Sequence, residues 1–246
     1  MYEYIKKILK LFLYKTKRVL TILRDSALPE NRFLEKDYRS PYKLYEKEEL
    51  EKCYNHFKKY FKTAIFLDSN SIRKYSIKRA SENDKKQEYY YLEFGVFRGT
   101  TINRFSEHVH KIYGFDSFEG LKEDWVGMDS KPKGTFNLNK ILPKLNQNVV
   151  PIVGWIQETL KPFLEKEKPK VNFIHVDVDT YETTKFILEN IKPHLTKKSI
   201  ILFDELYNLT GWDVGEYKAL TEVFKENEYK FIAFSKFGHQ VAIEII

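Results

Sequence analysis

Residues 89–101 read Tyr89-Tyr90-Tyr91-Leu92-Glu93-Phe94-Gly95-Val96-Phe97-Arg98-Gly99-Thr100-Thr101. An aromatic and apolar run stops at a glycine, and a second glycine leads into helix-compatible sequence, the pattern of a strand, a tight turn and a helix start. In an open parallel sheet such a turn is where a nucleotide-like ligand approaches the backbone, because a missing β-carbon leaves room for it. Three residues separate Gly95 from Gly99, so the GxGxxG spacing that cradles a pyrophosphate is absent. Glu93 puts a carboxylate where a diphosphate would be repelled and a cationic ligand favoured.

Downstream, apolar runs at 89–94, 111–115, 149–153, 171–178, 199–203, 230–235 and 240–246 alternate with helical stretches. Repeated strand–helix–strand order builds a parallel sheet with helices on both faces. Little more than Lys236-Phe237-Gly238 separates the last two runs, too short for a parallel crossover, so they pair as an antiparallel hairpin. The expected fold is therefore α/β: a doubly wound, mostly parallel seven-stranded sheet ending in an antiparallel hairpin, behind a helical N-terminal extension. The polar run Ser81-Glu82-Asn83-Asp84-Lys85-Lys86 divides residues 1–87, the extension or lid, from residues 88–246, the ligand-binding catalytic domain. Asp116 ends the second strand 23 residues after Glu93, where a carboxylate can accept hydrogen bonds from both hydroxyls of a ribose.

Four ordered blocks resemble a known family. They are Tyr91 to Gly99; Phe115-Asp116-Ser117-Phe118-Glu119-Gly120-Leu121; Val153-Gly154-Trp155-Ile156-Gln157-Glu158-Thr159-Leu160; and His175-Val176-Asp177-Val178-Asp179-Thr180-Tyr181-Glu182-Thr183-Thr184. Together, over residues 89 to about 235, the chain is similar to class I S-adenosylmethionine-dependent methyltransferases, and within them to the macrocin O-methyltransferase-like enzymes that methylate sugars. The resemblance implies that Glu93, Gly95, Gly99 and Thr100 lie on the methionine side of the cofactor, Asp116 and Ser117 on the ribose side, and Gly154 and Trp155 near the adenine.

The carboxylates give a second line of argument. Asp177 and Asp179 end the fourth expected strand, Asp204 and Glu205 end the fifth, and neighbouring strands lie about 5 Å apart. Four carboxylates in one cleft repel one another unless protonated or bridged by a cation, and a donor set of oxygens alone suits magnesium, calcium or manganese rather than zinc. Asp177, Asp204 and Glu205 are the expected metal ligands, with Mg2+ the expected ion. Asp204-Glu205 stands where the resembling enzymes usually carry Asp-Asp. Asp179 is the candidate general base, as the second Asp of the Asp-x-Asp pair in such enzymes; His175, on the same strand face as Asp177, is the runner-up.

Charge separates the two halves. Of a formal net charge of +7, residues 1–87 carry 22 Lys and Arg against 12 Asp and Glu, and the remainder 20 against 23. Met1 to Arg24 reads as a basic amphipathic helix, with Tyr4, Ile5, Ile8, Leu9 and Phe12 among interleaved lysines. It is read as a lid, a homodimer element or a peripheral membrane-surface anchor, and Pro29 to Pro41 as a linker. Lys10 and Lys15 interrupt any signal-peptide core, so the segment is expected to stay in a cytoplasmic protein. No apolar run approaches the roughly 20 residues of a membrane span. One cysteine, Cys53, excludes an internal disulfide, and no Cys/His cluster suits zinc. No recognition motif accompanies the basic charge, so nucleic acid is not an expected partner. The function these features point to is metal-assisted O-methylation of a sugar or sugar-containing acceptor. The alternatives are a metal-independent N- or O-methyltransferase, and a non-enzymatic membrane-surface or partner-binding protein on an inactive cofactor fold.

Overall fold

The computed structural model describes residues 40–125 and 131–246. The helix expected over Met1 to Arg24, and all of the expected linker before its last two residues, lie outside the described residues. Two compact units, Met1–Lys47 and Glu48–Ile246, divide the chain. The described part of the first is the opening of helix α1 (Pro41–Phe57), where Lys43 donates to Glu46 at 2.8 Å.

In the second unit the elements after α1 are β1 (Ile65–Leu67), α2 (Ser69–Glu82), β2 (Tyr90–Phe94), α3 (Thr100–Ser106), β3 (Ile112–Asp116), β4 (Val149–Val153), α4 (Ile156–Glu167), β5 (Val171–Val176), α5 (Tyr181–Ile191), β6 (Leu195–Phe203), α6 (Glu216–Val223), β7 (Tyr229–Ser235) and β8 (Val241–Ile245). The sheet order is β1-β7-β8-β6-β5-β2-β3-β4. Strand β8 runs antiparallel to β6 and β7, and every other pair is parallel. All seven expected strands and the terminal hairpin are present. The eighth strand, β1, is three residues long and pairs with β7 across most of the chain. So short a run shows no periodicity for a sequence reading to find.

Strand β5 is buried along its whole length, as a central parallel strand covered on both faces must be. Alternation then sorts its residues and those of its neighbours. Leu92, Phe94, Ile174, Val176, Ile201 and Phe203 face Leu160 of α4, Ile187 of α5, Leu220 of α6 and Phe57. Tyr91, Phe173, Ile200 and Leu202 face Ile72 and Ile77 of α2 and Ile102 and Phe105 of α3. The same two-residue period puts Glu93 and His175 on the α2/α3 face, where they are direct register partners. Helix α2 starts at Asp68, whose carboxylate accepts the N–H groups of Asn70 and Ser71, each at 3.0 Å. Such a cap is worth about 1 kcal/mol, and it fixes where Ile72 and Arg73 enter the layer.

Candidate active site

Backbone pairing continues one step past several strands. The N–H of Gly95 donates to Phe115 O at 3.0 Å, that of Asp177 to Phe94 O at 2.9 Å, and that of Asp204 to Val176 O at 3.0 Å. The turns after β2, β5 and β6 are therefore held in register at one end of the sheet. They border a cleft of about 600 Å³.

Of the residues assigned to the cofactor, Glu93, Gly95, Thr100, Asp116, Ser117 and Trp155 line this cleft. Gly99 and Gly154 are absent from its lining. Gly99 is the N-cap of α3 at φ +74°, and a β-carbon there would come within 2.8 Å of Leu145 Cδ2. Gly154, at φ +137°, donates its N–H to Asp116 O at 3.0 Å. Both glycines are explained by backbone conformation and packing.

Two further residues of the cleft wall also have structural duties. At Gly95 (φ +88°) an added β-carbon would fall 1.7 Å from the carbonyl oxygen of Asp177, so the glycine answers first to the neighbouring strand end rather than to a ligand. The Asp116 carboxylate, expected to face ribose hydroxyls, accepts three backbone N–H groups: Val96 and Phe97 on Oδ2, both at 2.8 Å, and Phe118 on Oδ1 at 2.7 Å. It thereby ties the glycine turn to the turn after β3.

A charged row is buried behind the cleft. Glu93 and His175 are 1% and 0% exposed. His175 Nδ1 lies 3.5 Å from Glu93 Oε1, and its Nε2 lies 3.3 Å from Asp204 Oδ1. Arg73 Nη2 meets the same Asp204 oxygen at 2.5 Å, and Gln240 Nε2 donates to the other at 3.2 Å. Burial alone would deprotonate His175, but its carboxylate partners outweigh that and raise its pKa to about 10. Burial likewise opposes ionisation of Asp204, yet His175 and Arg73 hold its carboxyl below the usual range. Glu93 is pushed up by burial, and its Oε2 has no partner. That orphaned oxygen in the cleft wall fits the ammonium end of a cationic ligand.

The remaining carboxylates open into the cleft. Ligand oxygens of Asp177, Asp179 and Glu205 all lie within 4.8 Å of one another, and Glu205 Oε2 has no partner. Burial and the Asp204 charge raise Asp177 above the usual carboxylate range and Asp179 to about 7, and burial with the neighbouring carboxylates raises Glu205. A crowded, all-oxygen set with an unsatisfied donor fits a hard divalent cation. His175, Asp177 and Asp204 form a second group, which includes a ring nitrogen, but Arg73 already meets Asp204 there. Neither Asp204 nor His175 lines the cleft; both stand one layer behind it. Asp179, at φ +62°, is not a helix cap: Thr180 occupies that position before α5.

Trp212 and Tyr207 are buried, and Trp212 packs on His56, Phe57 and Tyr217 with ring centroids 5.0–5.2 Å apart. Trp125 does line the cleft. Arg73, Gln240 and Glu216 were not singled out from the sequence. Arg73 lies in a helix ahead of the matched motifs, and Gln240 on the returning hairpin; only an acid at the start of an amphipathic helix marked Glu216.

Residues 92–206 match a family model described as a methyltransferase domain. Over this stretch the chain is similar to a methyltransferase domain. Similar solved structures include CalS11, a calicheamicin methyltransferase, at 23% identity and TM-score 0.57 over 87% of this chain and 90% of that one. A second CalS11 structure, described as an apo TDP-rhamnose 3'-O-methyltransferase, matches at 21% identity and TM-score 0.51 over 87% and 92%. The O-methyltransferase NovP matches at 19% identity and TM-score 0.52 over 72% and 78%. These likenesses establish the fold of the methyltransferase domain. No curated protein matches the chain. Among the described residues, no helix is long and apolar enough to cross a membrane.

Proposed function

We propose that this methyltransferase acts on a hydroxyl group of a sugar or sugar-containing small molecule, with a divalent cation, Mg2+ in the first instance, held by Asp177 and Glu205. The observation that carries the proposal is that the Asp177/Asp179/Glu205 group opens into the same cleft as Glu93 and the Gly95 turn. Sugar methylation is supported by the description of CalS11 as a TDP-rhamnose 3'-O-methyltransferase, a protein whose fold the chain shares.

S-adenosylmethionine supplies an electrophilic sulfonium methyl, and a bound cation would supply Lewis acidity that makes the acceptor hydroxyl easier to deprotonate. Glu93 holds the ammonium end of the donor on its free Oε2. Trp155 lies at the adenine end. Asp179, whose carboxyl is poised near neutrality, takes the hydroxyl proton on its carboxylate, a role suited to a pKa close to the working pH. Arg73 and His175 keep Asp204 ionised and fixed behind Asp177, so the cleft wall does not shift as protons move. Holding the hydroxyl in line with the methyl supplies the remaining rate advantage through proximity.

The test is S-adenosylhomocysteine formation by the full chain over a panel of free and nucleotide-linked sugars, after chelation and after adding back Mg2+. The proposal expects turnover to disappear with chelator, return with Mg2+, and yield a product methylated on oxygen. Turnover indifferent to chelation removes the cation and leaves the carboxylates as acid–base groups. Methylation on nitrogen overturns the acceptor class.

A further inference from the structure

Beside the main cleft lies a smaller pocket of about 160 Å³ that shares Trp125, Asp179 and Glu205 with it. That is below the roughly 300–1,000 Å³ of a complete small-molecule site, so it is a compartment of the larger one. Glu123, Asp124, Asp179, Glu182, Glu205 and Glu216 form much of its wall, and no lysine or arginine is among its described lining residues. Two lysines meet its Tyr181 from outside the lining: Lys185 Nζ is paired with Glu222 at 2.7 Å and donates to the Tyr181 hydroxyl at 3.2 Å, and Lys218 Nζ lies 4.2 Å from the Tyr181 ring centroid.

Acidic side chains alone do not make a site, but Glu216 adds an independent observation. It is 1% exposed, the least exposed of the six, at the first turn of α6. Its Oε2 accepts the backbone N–H of Glu205 at 2.9 Å, while Oε1 has no partner. A carboxylate oxygen buried without a donor carries a desolvation cost that an incoming donor would relieve. Neither candidate metal grouping includes Glu216.

We infer that Glu216 is a specificity-determining residue that receives an ammonium group of the acceptor on its free Oε1. The acceptor is accordingly an amine-bearing, hydroxyl-rich molecule of the amino-sugar class, and a sugar carrying a diphosphate is disfavoured in this compartment. This rests on the proposed O-methylation and narrows its substrate. The ammonium lodges in the smaller pocket, while a hydroxyl of the same ring remains by Asp179 in the shared wall.

The experiment compares glucosamine, N-acetylglucosamine, glucose and UDP-glucose with the full chain and with Glu216→Gln. Glutamine keeps an oxygen for the Glu205 N–H and removes the charge. Binding to the S-adenosylhomocysteine-loaded protein in Mg2+ is read by calorimetry, and turnover by S-adenosylhomocysteine release in S-adenosylmethionine. A hydrogen bond to a charged group is worth enough to give roughly tenfold or more in affinity, so glucosamine should bind at least that much more tightly than N-acetylglucosamine. Glu216→Gln should remove the difference through KM rather than kcat, with donor affinity unchanged. Binding without an amine preference, or a preference that survives Glu216→Gln, overturns the assignment whether or not turnover occurs. Amine-selective binding that is lost in Glu216→Gln, but with no methylation of any sugar, supports the subsite and overturns the proposed reaction instead.

Discussion

Asp179→Asn should make the metal-free protein more stable while slowing it. The carboxyl is raised from 3.8 to about 7, first by burial and then by the Asp204 charge. At 1.36 kcal/mol per pH unit, full ionisation in the folded state carries an upper bound of about 4 kcal/mol. The folded protein holds this proton between about pH 4 and 7, where the unfolded chain has released it. Stability therefore falls as pH rises through that window and the whole penalty is present above it. Asparagine has no proton to lose, and it is among the few residues that tolerate the left-handed backbone found at this position. In urea unfolding with chelator at pH 8 the variant should gain up to about 4 kcal/mol, and at pH 5 less than half of that gain. For a protein of this size each kcal/mol corresponds to roughly 2–4 °C in Tm. With Mg2+ and saturating donor and acceptor, the same variant should lose about 10²-fold or more in kcat if Asp179 is the base. A variant no more stable than the parent at pH 8, or equally stabilised at both pH values, refutes the electrostatic reasoning; unchanged kcat refutes the base assignment alone.

Asp177→Asn keeps shape and removes one cation ligand, so activity should fall and partly recover at higher Mg2+, a shift read directly from the metal dependence of the rate. Arg73→Met leaves Asp204 buried beside His175 with one cation fewer; loss of a buried charge partner predicts destabilisation of about 3 kcal/mol, measured by urea unfolding, and unchanged stability would show that Asp204 does not need the arginine. Gly95→Ala forces a β-carbon towards the Asp177 carbonyl, so Tm should drop even without donor or metal; a variant with native Tm that is weakened only in donor affinity would return this glycine to the ligand.

The sheet was legible because its strands are long apolar runs and its closing hairpin leaves no room for a crossover. The positions of the site residues followed from strand ends, since both carboxylate pairs were placed by their order along the chain. Their partners were not legible. Asp116 has the right position for a ribose ligand, but that its oxygens also hold three backbone N–H groups is a property of the folded turns. Asp204 could not be told from Asp177 in sequence; the difference is Arg73, supplied by α2 from ahead of the matched motifs, and Gln240, supplied by the returning hairpin. Spacing along one strand pairs His175 with Asp177, whereas register across strands pairs it with Glu93, and register is a property of the folded sheet.

The two described margins of the sheet bear on how the molecule meets its own copies. One margin is β1, with only three residues to offer. The other is β4, which carries Pro151 opposite Gly114 and so lacks one backbone donor. Short strands and prolines are the devices by which β proteins avoid being templates for one another. Lengthening the sheet from molecule to molecule is therefore blunted at both described margins.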